Sequence, residues 1–307
     1  MQLIEEWLSE LRACLAGEPA VSEVRVGVFY TGVGLSTGDA GVAFTPRDLS
    51  DTVCCPKTAA GAPPAGRLVG TKAWELAEYA LSPSALRRAL GVATLNALSA
   101  AAIRRFGLPQ GALLEDCDAL DAAGVTPDDR VVMVGAFVPF IKALKGRVAG
   151  LYVVDRHREA LKPDEQAFWV APERSAPVLG EASILIVSGS ALVEGGIDEL
   201  LRQSARARLR LLAGPTTPLW APPWFRRGVG LLGGVRVLDP RALLEIVGQG
   251  GSGYFFEKAA EKACVVDPRL ALPGRAEHAR GATAGNGLSA ATPCCGAVAP
   301  ASAVRHP

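Results

Sequence analysis

The sequence lacks most of the features that announce a particular class of function. It has only three histidines among 307 residues, and its formal net charge is +1. A nearly neutral chain is a poor candidate for a dedicated nucleic-acid or membrane-surface protein, so we expect neither partner. No apolar run approaches the roughly 18 residues that a membrane-spanning helix requires. The opening segment MQLIEEWLSEL is acidic and amphipathic, unlike a secretory signal peptide, which predicts a cytoplasmic protein.

Catalytic and zinc-binding motifs are missing as well. Serine-hydrolase and metalloprotease motifs do not occur, and His157 is the only histidine before the C-terminal segment. The seven cysteines include no C-x-x-C, and their odd number fits a reducing compartment. We interpret most of them as buried or incidental thiols. Cys54 and Cys55 lie in the turn-like segment DTVCCPKT, where we expect side chains to face solvent or a cleft, so this pair is retained as candidate metal ligands.

The first of three regions, residues 1–108, is predicted to be a small α+β domain. Its opening segment has the apolar spacing of an amphipathic helix. Two strands are predicted over 24–31 and 40–45, with a glycine-rich hairpin or longer loop between them. Helices are predicted over 71–79 and 84–106. Strands followed by helices are typical of an α+β unit.

Residues 109–268 are predicted to form an α/β domain. Continuous runs of Val, Ile and Leu fit strands that are buried on both faces of a parallel sheet. Four such runs end abruptly in small or polar residues, namely VVMVGAF, LYVVDR, ILIVSGS and LRLLAGPTT. The predicted fold class is therefore α/β, with a parallel-sheet domain preceded by the smaller α+β domain. Residues 269–307 have few large apolar side chains and are rich in Ala and Gly, which predicts a disordered tail.

The ends of the four apolar runs supply most of the candidate ligand-binding residues. Ligands in open α/β sheets collect outside the carboxyl ends of the strands, so we expect a small polar molecule to bind there. The candidates at these ends are Gly135, Asp155, Ser188, Gly189, Ser190, Gly214, Pro215, Thr216 and Thr217.

Three further candidates come from the first region. Thr31 and Asp39 flank a flexible glycine-rich segment, and Asn96 is a polar residue on an otherwise apolar helix. A buried amide needs hydrogen-bond partners, so Asn96 either ties its helix to a loop or faces a cleft between the domains.

Each strand end also has a purely structural interpretation. The turn at Gly135 lacks the full G-x-G-x-x-G, which weakens a pyrophosphate site and leaves a tight strand-to-helix turn as the alternative. Asp155 follows at about the 20-residue spacing of a ribose-binding acid, although it could instead pair with Arg156 and His157. The Ser188–Ser190 segment could bind an anion, or its last serine could cap the following helix.

Six motifs, taken in order, resemble a bacterial and archaeal family described as heavy-metal chelation proteins, of the domain of unknown function 364 type. They are LGVATLNALSA, DRVVMVGAFVPF, SGSALVEGGIDELL, LLAGPTTPLW, GVRVLDP and VGQGG. The resemblance covers most of residues 1–268. It implies an enolase-N-terminal-like domain followed by a Rossmann-like domain, with the proposed active site in the cleft between them. By this resemblance the cleft is lined by Gly135, Ser188–Ser190, Gly214–Thr217 and Asn96.

Two classes of function remain open from the sequence. The first, which we favour, is the binding of a metal or of a small metal-chelating molecule in the interdomain cleft, in line with the family resemblance. The alternative is a transferase-type enzyme that uses a nucleotide or S-adenosylmethionine-like cosubstrate in the same cleft. The expected cofactor is a metal ion or is unknown. The expected partner is a small-molecule or metal ligand, and a homodimer is one assembly that the sequence permits.

Overall fold

Two β-sheets of unequal size organise the computed structural model, which describes residues 2–47 and 63–270. The strands are β1 (Val21–Val26), β2 (Tyr30–Leu35), β3 (Ala40–Phe44), β4 (Ala112–Glu115), β5 (Arg130–Val134), β6 (Gly150–Val154), β7 (Trp169–Val170), β8 (Ile184–Ser188), β9 (Leu209–Ala213), β10 (Leu231–Val237) and β11 (Ala260–Val266). The α-helices are α1 (Gln2–Cys14), α2 (Ala73–Ala77), α3 (Ala85–Phe106), α4 (Ala119–Ala122), α5 (Val138–Leu144), α6 (Ala176–Gly180), α7 (Ala191–Glu194), α8 (Ile197–Gln203), α9 (Pro222–Arg226) and α10 (Pro240–Gly248). Short 3-10 turns cover Glu78–Leu81, Arg158–Ala160, Pro163–Phe168, Pro172–Arg174 and Gly253–Phe255.

The larger sheet is mostly parallel. Within the described residues its strand order is β4-β11-β10-β9-β8-β5-β6-β7, and the smaller sheet is antiparallel in the order β1-β2-β3. β5 pairs in parallel with both β6 and β8, whereas β11 pairs antiparallel with both of its neighbours, β10 and β4. The strand order reverses between β5 and β8, the position at which open α/β sheets bind ligands. The predicted α/β fold class and its four buried strands, now β5, β6, β8 and β9, are confirmed.

The prediction for the small sheet was partly wrong. The segment 24–31 is divided between β1 and β2 by a turn at residues 27–29, and residues 32–35 of the glycine-rich stretch extend β2. Residues 36–39 form the turn of a β2–β3 hairpin, one of the two forms predicted for this link. A Cβ atom on Gly32 would lie 2.6 Å from Cδ2 of Leu244 on α10. Glycine is therefore present because a helix packs closely on this strand, and not because the chain turns there.

Helix predictions in the first region agree with the structure. The opening helix is α1, the 84–106 helix is α3, and the segment 71–79 forms α2 and the first half of the 3-10 turn that follows it. One face of α1 is buried, through Leu3, Ile4, Trp7, Leu8 and Leu11. None of the helices in residues 2–47 and 63–270 combines the length and the apolar character that crossing a membrane requires.

One large hydrophobic cluster contains buried residues of both sheets. Buried residues of α1 and α3 belong to the same cluster as buried residues of α7, α8 and α9. The rings of Trp7 on α1 and Trp224 on α9 meet edge to face, with their centroids 5.9 Å apart. Trp7 also donates a 3.0 Å hydrogen bond from Nε1 to Oγ of Ser99 on α3. The small sheet ends at Phe44 and the large sheet begins at Ala112, while the division of the chain into domains at residues 108 and 268 stays a prediction.

Candidate functional site

Two residues connect the small-sheet region to the large sheet at the carboxyl end of β9. Thr216 accepts a 2.8 Å hydrogen bond at Oγ1 from the backbone N–H of Phe44. The Asn96 amide donates from Nδ2 to the carbonyl oxygens of both Val42 and Thr216, at 2.9 and 3.0 Å. Asn96 thus ties α3 to the loop after β9, and it also lines a cavity described below. We call this set of hydrogen bonds the clasp.

A cavity of about 380 Å³ lies on one side of the clasp, over the carboxyl ends of β5, β9 and β10. We call it the aromatic cavity, because four of the nine phenylalanines and two of the four tyrosines of the chain line it. Its volume lies in the range of small-molecule sites. The aromatic residues are Phe29, Tyr30, Phe44, Phe137, Phe140 and Tyr254, and other lining residues include Arg47, Cys117, Asp118, Gly214, Pro215, Gly233, Gly234 and Lys262.

The two cations that line the aromatic cavity differ in their pairing. Lys262 forms a 2.8 Å ion pair with Asp118, which offsets its charge. The Arg47 guanidinium lies 5.2 Å from the ring centroid of Phe29, and no acidic side chain within the described residues forms an ion pair with it. Burial, together with the nearby Tyr254, raises the pKa of Tyr30 to about 12, so its hydroxyl stays neutral. Arg47 therefore gives this largely apolar cavity a net attraction for an anionic group.

A second cavity, also of about 380 Å³, lies between β3, α3 and β10. We call it the aliphatic cavity, since its walls include Ala40, Val42, Ile103, Leu108, Leu113, Leu219 and Val235. Its charged groups are engaged with one another. Arg104 forms two hydrogen bonds with Asp39, of 2.9 and 2.8 Å, and Arg236 pairs with Glu115 and Glu261. Asp39 is therefore held as the partner of an arginine.

The strand ends around the reversal of strand order form a crowded crevice. A Cβ atom on Gly135 would lie 2.9 Å from Cβ of Ser188, and one on Gly189 would lie 3.0 Å from Cβ of Thr216. Gly135 has a φ of 90°, which glycine adopts without strain. These residues from β5, β8 and β9 are thus brought together, as the sequence analysis predicts for a single sheet edge.

Asp155 closes one side of this crevice through hydrogen bonds to the backbone. Its Oδ2 accepts from the N–H of Ala136 and its Oδ1 from the N–H of His157, both at 2.9 Å. The carboxylate thus links the loop after β6 to the turn after β5. The pairing of Asp155 with its neighbour His157 takes place through the backbone of that residue.

The predicted ligand-binding residues are distributed over four places. Gly214 and Pro215 line the aromatic cavity, while Asp39, Asn96, Pro215 and Thr217 line the aliphatic cavity. Gly135, Asp155, Ser188, Gly189 and Ser190 surround the crevice at the reversal of strand order. Thr31 is fully buried, shares a 2.9 Å hydrogen bond with Thr45 and lines neither cavity. Cys54 and Cys55 lie outside the described residues.

The hydroxyl groups at the strand ends differ in their hydrogen bonds. Ser190 makes no side-chain capping hydrogen bond to α7, and its own N–H donates to Oγ of Ser188 at 3.2 Å. The Thr217 hydroxyl is buried and has no hydrogen-bond partner among the described residues. Thr216 acts as part of the clasp, so its polar atoms are occupied by the protein itself.

The sequence analysis did not include the aromatic residues of the site. Phe137 lies two residues after Gly135 and stacks on Phe140, with ring centroids 5.2 Å apart. Phe29, Phe44 and Arg47 belong to the small-sheet region, so their position above the large sheet depends on how the two regions pack. The one available signal was the concentration of aromatic side chains in short segments, such as GAFVPF and GYFF, in a chain with only 6% aromatic residues.

The part of the chain that the structure describes contains no preformed cluster of side chains that could coordinate a metal ion by itself. Within residues 2–47 and 63–270, no three or more His, Cys, Asp or Glu side chains are grouped so that they could hold a metal ion. A metal that enters the cavities would therefore need ligands from a bound molecule, or a site with only two protein ligands.

The fold and the site define a two-sheet α/β protein with ligand-sized cavities where the small-sheet region meets the carboxyl ends of the large sheet. Residues 118–266 match the DUF364 family model and residues 10–99 match the DUF4213 family model, both described as "Putative heavy-metal chelation". The chain belongs to this family. No match is found among curated proteins.

Two solved structures of the DUF364 family have a similar fold. One is a protein with unknown function from Desulfitobacterium hafniense DCB-2, which is 19% identical, with a TM-score of 0.67 over 87% of this chain and 99% of that chain. The other is a protein with unknown function from Pyrococcus horikoshii, which is 20% identical, with a TM-score of 0.65 over 86% of this chain and 99% of that chain. At these identities the likeness supports the fold alone.

Proposed function

We propose that this protein binds a small aromatic anion of the kind that chelates metal ions, and that the aromatic cavity between its two sheets is the binding site. The observation that carries the proposal is the concentration of six aromatic side chains in a single cavity at the carboxyl ends of parallel strands, together with Arg47, which has no acidic ion-pair partner among residues 2–47 and 63–270. Flat rings stack favourably on aromatic side chains, and a guanidinium pairs well with a carboxylate.

The family description supports a connection with metal chelation, but the described residues offer no cluster of three ligands for a bare ion. An organic chelator resolves this difference, because it supplies the donor atoms and the protein needs only to recognise the chelator. Backbone close to the ligand is also accessible, since Gly214, Gly233 and Gly234 line the cavity without side chains.

The test uses pyridine-2,6-dicarboxylate, an aromatic dianion that chelates divalent metals, as the probe. We expect isothermal titration calorimetry to give saturable 1:1 binding of the probe and of its zinc complex, with weaker or unsaturable heat from Zn²⁺ alone. Arg47→Gln should weaken probe binding about tenfold or more, because a hydrogen bond to a charged group contributes about 1.5–3 kcal/mol.

Arg105→Gln is the matched control. Arg105 also lies over a phenylalanine ring, at 5.0 Å from the centroid of Phe106, but it lines neither cavity. Its variant should bind the probe like the unmodified protein. Equal weakening in the two variants, or probe binding that Arg47→Gln leaves unchanged, would count against the aromatic cavity as the site.

A transferase-type enzyme with a nucleotide or S-adenosylmethionine-like cosubstrate is the second candidate. It is favoured by the crevice between β5 and β8, where strand order reverses and where Gly135 and Ser188 are in close contact. A rise in the unfolding midpoint on adding S-adenosylhomocysteine or ADP would support it. Such a rise should persist in Arg47→Gln, which separates this crevice from the aromatic cavity, and its absence for both ligands would argue against the second candidate.

A further inference from the structure

Two cysteines that are far apart in the sequence meet beside the aromatic cavity. Cys264 on β11 is fully buried, and its thiol donates a 3.3 Å hydrogen bond to the carbonyl oxygen of Cys117. The Cys117 thiol in turn donates to the carbonyl oxygen of Asp118, at 3.6 Å. Burial raises the pKa of both thiols. Because Sγ of Cys264 lies 3.3 Å from the carbonyl oxygen of Cys117, the two cysteines are direct neighbours.

The pair has a route to solvent and a favourable charge for a cation. Cys117 is half-buried and lines the aromatic cavity, whereas Cys264 lies behind it, next to Gly233 of β10. A Cβ atom on Gly233 would lie 3.6 Å from Sγ of Cys264, so the sulfur is adjacent to a glycine that lines the cavity. The acidic side chains of Asp116, Asp118 and Asp121 act electrostatically on the pair, and Lys262 offsets one of them through its ion pair with Asp118.

We propose that Cys117 and Cys264 form a two-thiol site for a soft metal ion, with Cu(I) as the representative, in the wall of the aromatic cavity. Soft thiolate ligands select such ions, and Cu(I) is satisfied by two of them. Binding converts two thiols and one Cu⁺ into a bis-thiolate complex and releases two protons, with no change of oxidation state. Each thiol gives up its hydrogen bond to a backbone carbonyl when its proton leaves.

The thiol site extends the proposed function. Only the sharing of its metal ion with an organic ligand in the aromatic cavity rests on that function. A metal held by Cys117 would border the space that the aromatic anion occupies, so an organic ligand could share the ion. Metal binding by the two thiols does not require the organic ligand. The two ideas can therefore fail separately.

The test is an anaerobic titration of the full chain with Cu(I), in competition with bicinchoninate, a chromophoric Cu(I) chelator. The background variant replaces the other five cysteines by serine, namely Cys14, Cys54, Cys55, Cys294 and Cys295. We expect this background to bind one Cu(I) per chain. Adding Cys117→Ser should lower the affinity at least a hundredfold, since one thiolate of the pair is lost.

Cys264→Ala provides a second variant, because Cys264 is deeply buried and the two substitutions disturb the fold differently. A mirror variant, with only Cys117 and Cys264 replaced, measures Cu(I) bound by the remaining five thiols. Circular dichroism and the unfolding midpoint establish that each variant is folded before titration. The proposal would be overturned if the background bound no Cu(I). It would also be overturned if neither Cys117→Ser nor Cys264→Ala lowered the affinity of the background for Cu(I).

A separate arm distinguishes the two functions. Calorimetry with metal-free pyridine-2,6-dicarboxylate on the Cys264→Ala variant reports on the aromatic cavity without the thiol pair, because Cys264 does not line that cavity. Binding of Cu(I) without the dicarboxylate would support the thiol site and count against the proposed function. Binding of the dicarboxylate without Cu(I) would support the cavity and reject the thiol site.

Discussion

Thr216 contributes to the clasp through both its side chain and its backbone. Its hydroxyl accepts from Phe44 N–H, and its carbonyl accepts from Asn96. We predict that Thr216→Val lowers the free energy of unfolding by about 1–3 kcal/mol, because it leaves a backbone donor without its partner in a poorly hydrated place. Urea denaturation at neutral pH measures this change. The valine side chain has nearly the same shape, so packing contributes little.

Thr94→Val is the matched control for that prediction. Thr94 is also fully buried, but its hydroxyl only donates to the carbonyl of Leu90 within the same helix. Its loss should cost clearly less than that of Thr216, since the helix backbone already uses this carbonyl. If the two valine variants were equally stable, the hydrogen bond to Phe44 would not hold the two regions together.

Asp129 gives the clearest dependence of stability on pH. Burial alone would raise its pKa, but hydrogen bonds from Arg208, Thr126 and Ser183 outweigh burial and hold the pKa well below its usual range. A carboxyl group with a lowered pKa in the folded state stabilises the protein above its unfolded pKa of about 4. That contribution is lost as the pH falls below about 4 toward the folded pKa.

We therefore predict that Asp129→Asn costs about 2 kcal/mol at pH 7, less than the 3–5 kcal/mol for a fully buried pair, because Arg208 is partly exposed and water can solvate it. The difference from the unmodified protein should shrink as the pH falls below 4. Urea denaturation between pH 7 and pH 3 follows both proteins. Asp164→Asn removes an exposed ion pair with Lys145 and should change little. A difference that grows on acidification would contradict the assignment.

At the residue scale, the positions of the polar side chains at the strand ends could be predicted from the sequence, but their hydrogen-bond partners could not. The strand-end position of Asp155 and Thr216 follows from the parallel-strand pattern, and the structure places both at that edge. Their hydrogen bonds could not be predicted, because the partners include Phe44, 172 residues before Thr216. Phe29 and Arg47 reach the aromatic cavity for the same reason, through packing between regions that no local pattern encodes.

At the element scale, close packing decides where glycine is required. Gly41 lies in β3, and a Cβ atom there would overlap the backbone N of Ala97 and the backbone O of Ala93 on α3. We predict that Gly41→Ala lowers the free energy of unfolding by about 3 kcal/mol or more, because helix backbone cannot move aside as a side chain can. Thermal and urea denaturation both measure the loss.

Gly180→Ala is the corresponding control. Gly180 ends α6, and no atom lies within 4 Å of the position of an added Cβ. Alanine has the higher helix propensity, so this variant should be as stable as the unmodified protein or slightly more so. A tolerated Gly41→Ala would mean that β3 and α3 are less closely packed than the coordinates indicate.

The packing of each strand determines whether it could be predicted from the sequence. Long apolar runs identified β5, β6, β8 and β9, since strands buried on both faces leave an unambiguous signal. The second half of β2 lies in a glycine-rich stretch that was interpreted as a hairpin or longer loop, because a single sequence does not reveal that a helix lies against the strand. β4 and β11 are edge and antiparallel strands of the large sheet, and their patterns are too short or too irregular for a firm prediction.

At the scale of the whole molecule, the shared core predicts that both sheets unfold together. Buried residues of α1 contact both α3 and α9, so the small sheet and the large sheet do not have separate interiors. A protein of this kind behaves as one cooperative unit if the interface is as well packed as the core. Hydrogen exchange can detect the alternative, in which the small sheet opens first.

Trp7→Ala tests this coupling, because Trp7 is fully buried between Ser99 and Trp224. We predict a loss of about 3–5 kcal/mol, the usual cost of removing a buried tryptophan. Hydrogen exchange with mass spectrometry should show the same loss of protection in β2 and in β8, although neither strand is near the substitution in sequence. Trp169→Ala lies at the partly exposed edge strand β7. This variant should lower the free energy of unfolding by less than Trp7→Ala does, and local opening of β7 should leave the hydrogen-exchange protection of β2 unchanged. Faster exchange confined to β2 in Trp7→Ala would show that the small sheet unfolds independently, and the aromatic cavity would then open by separation of the two regions.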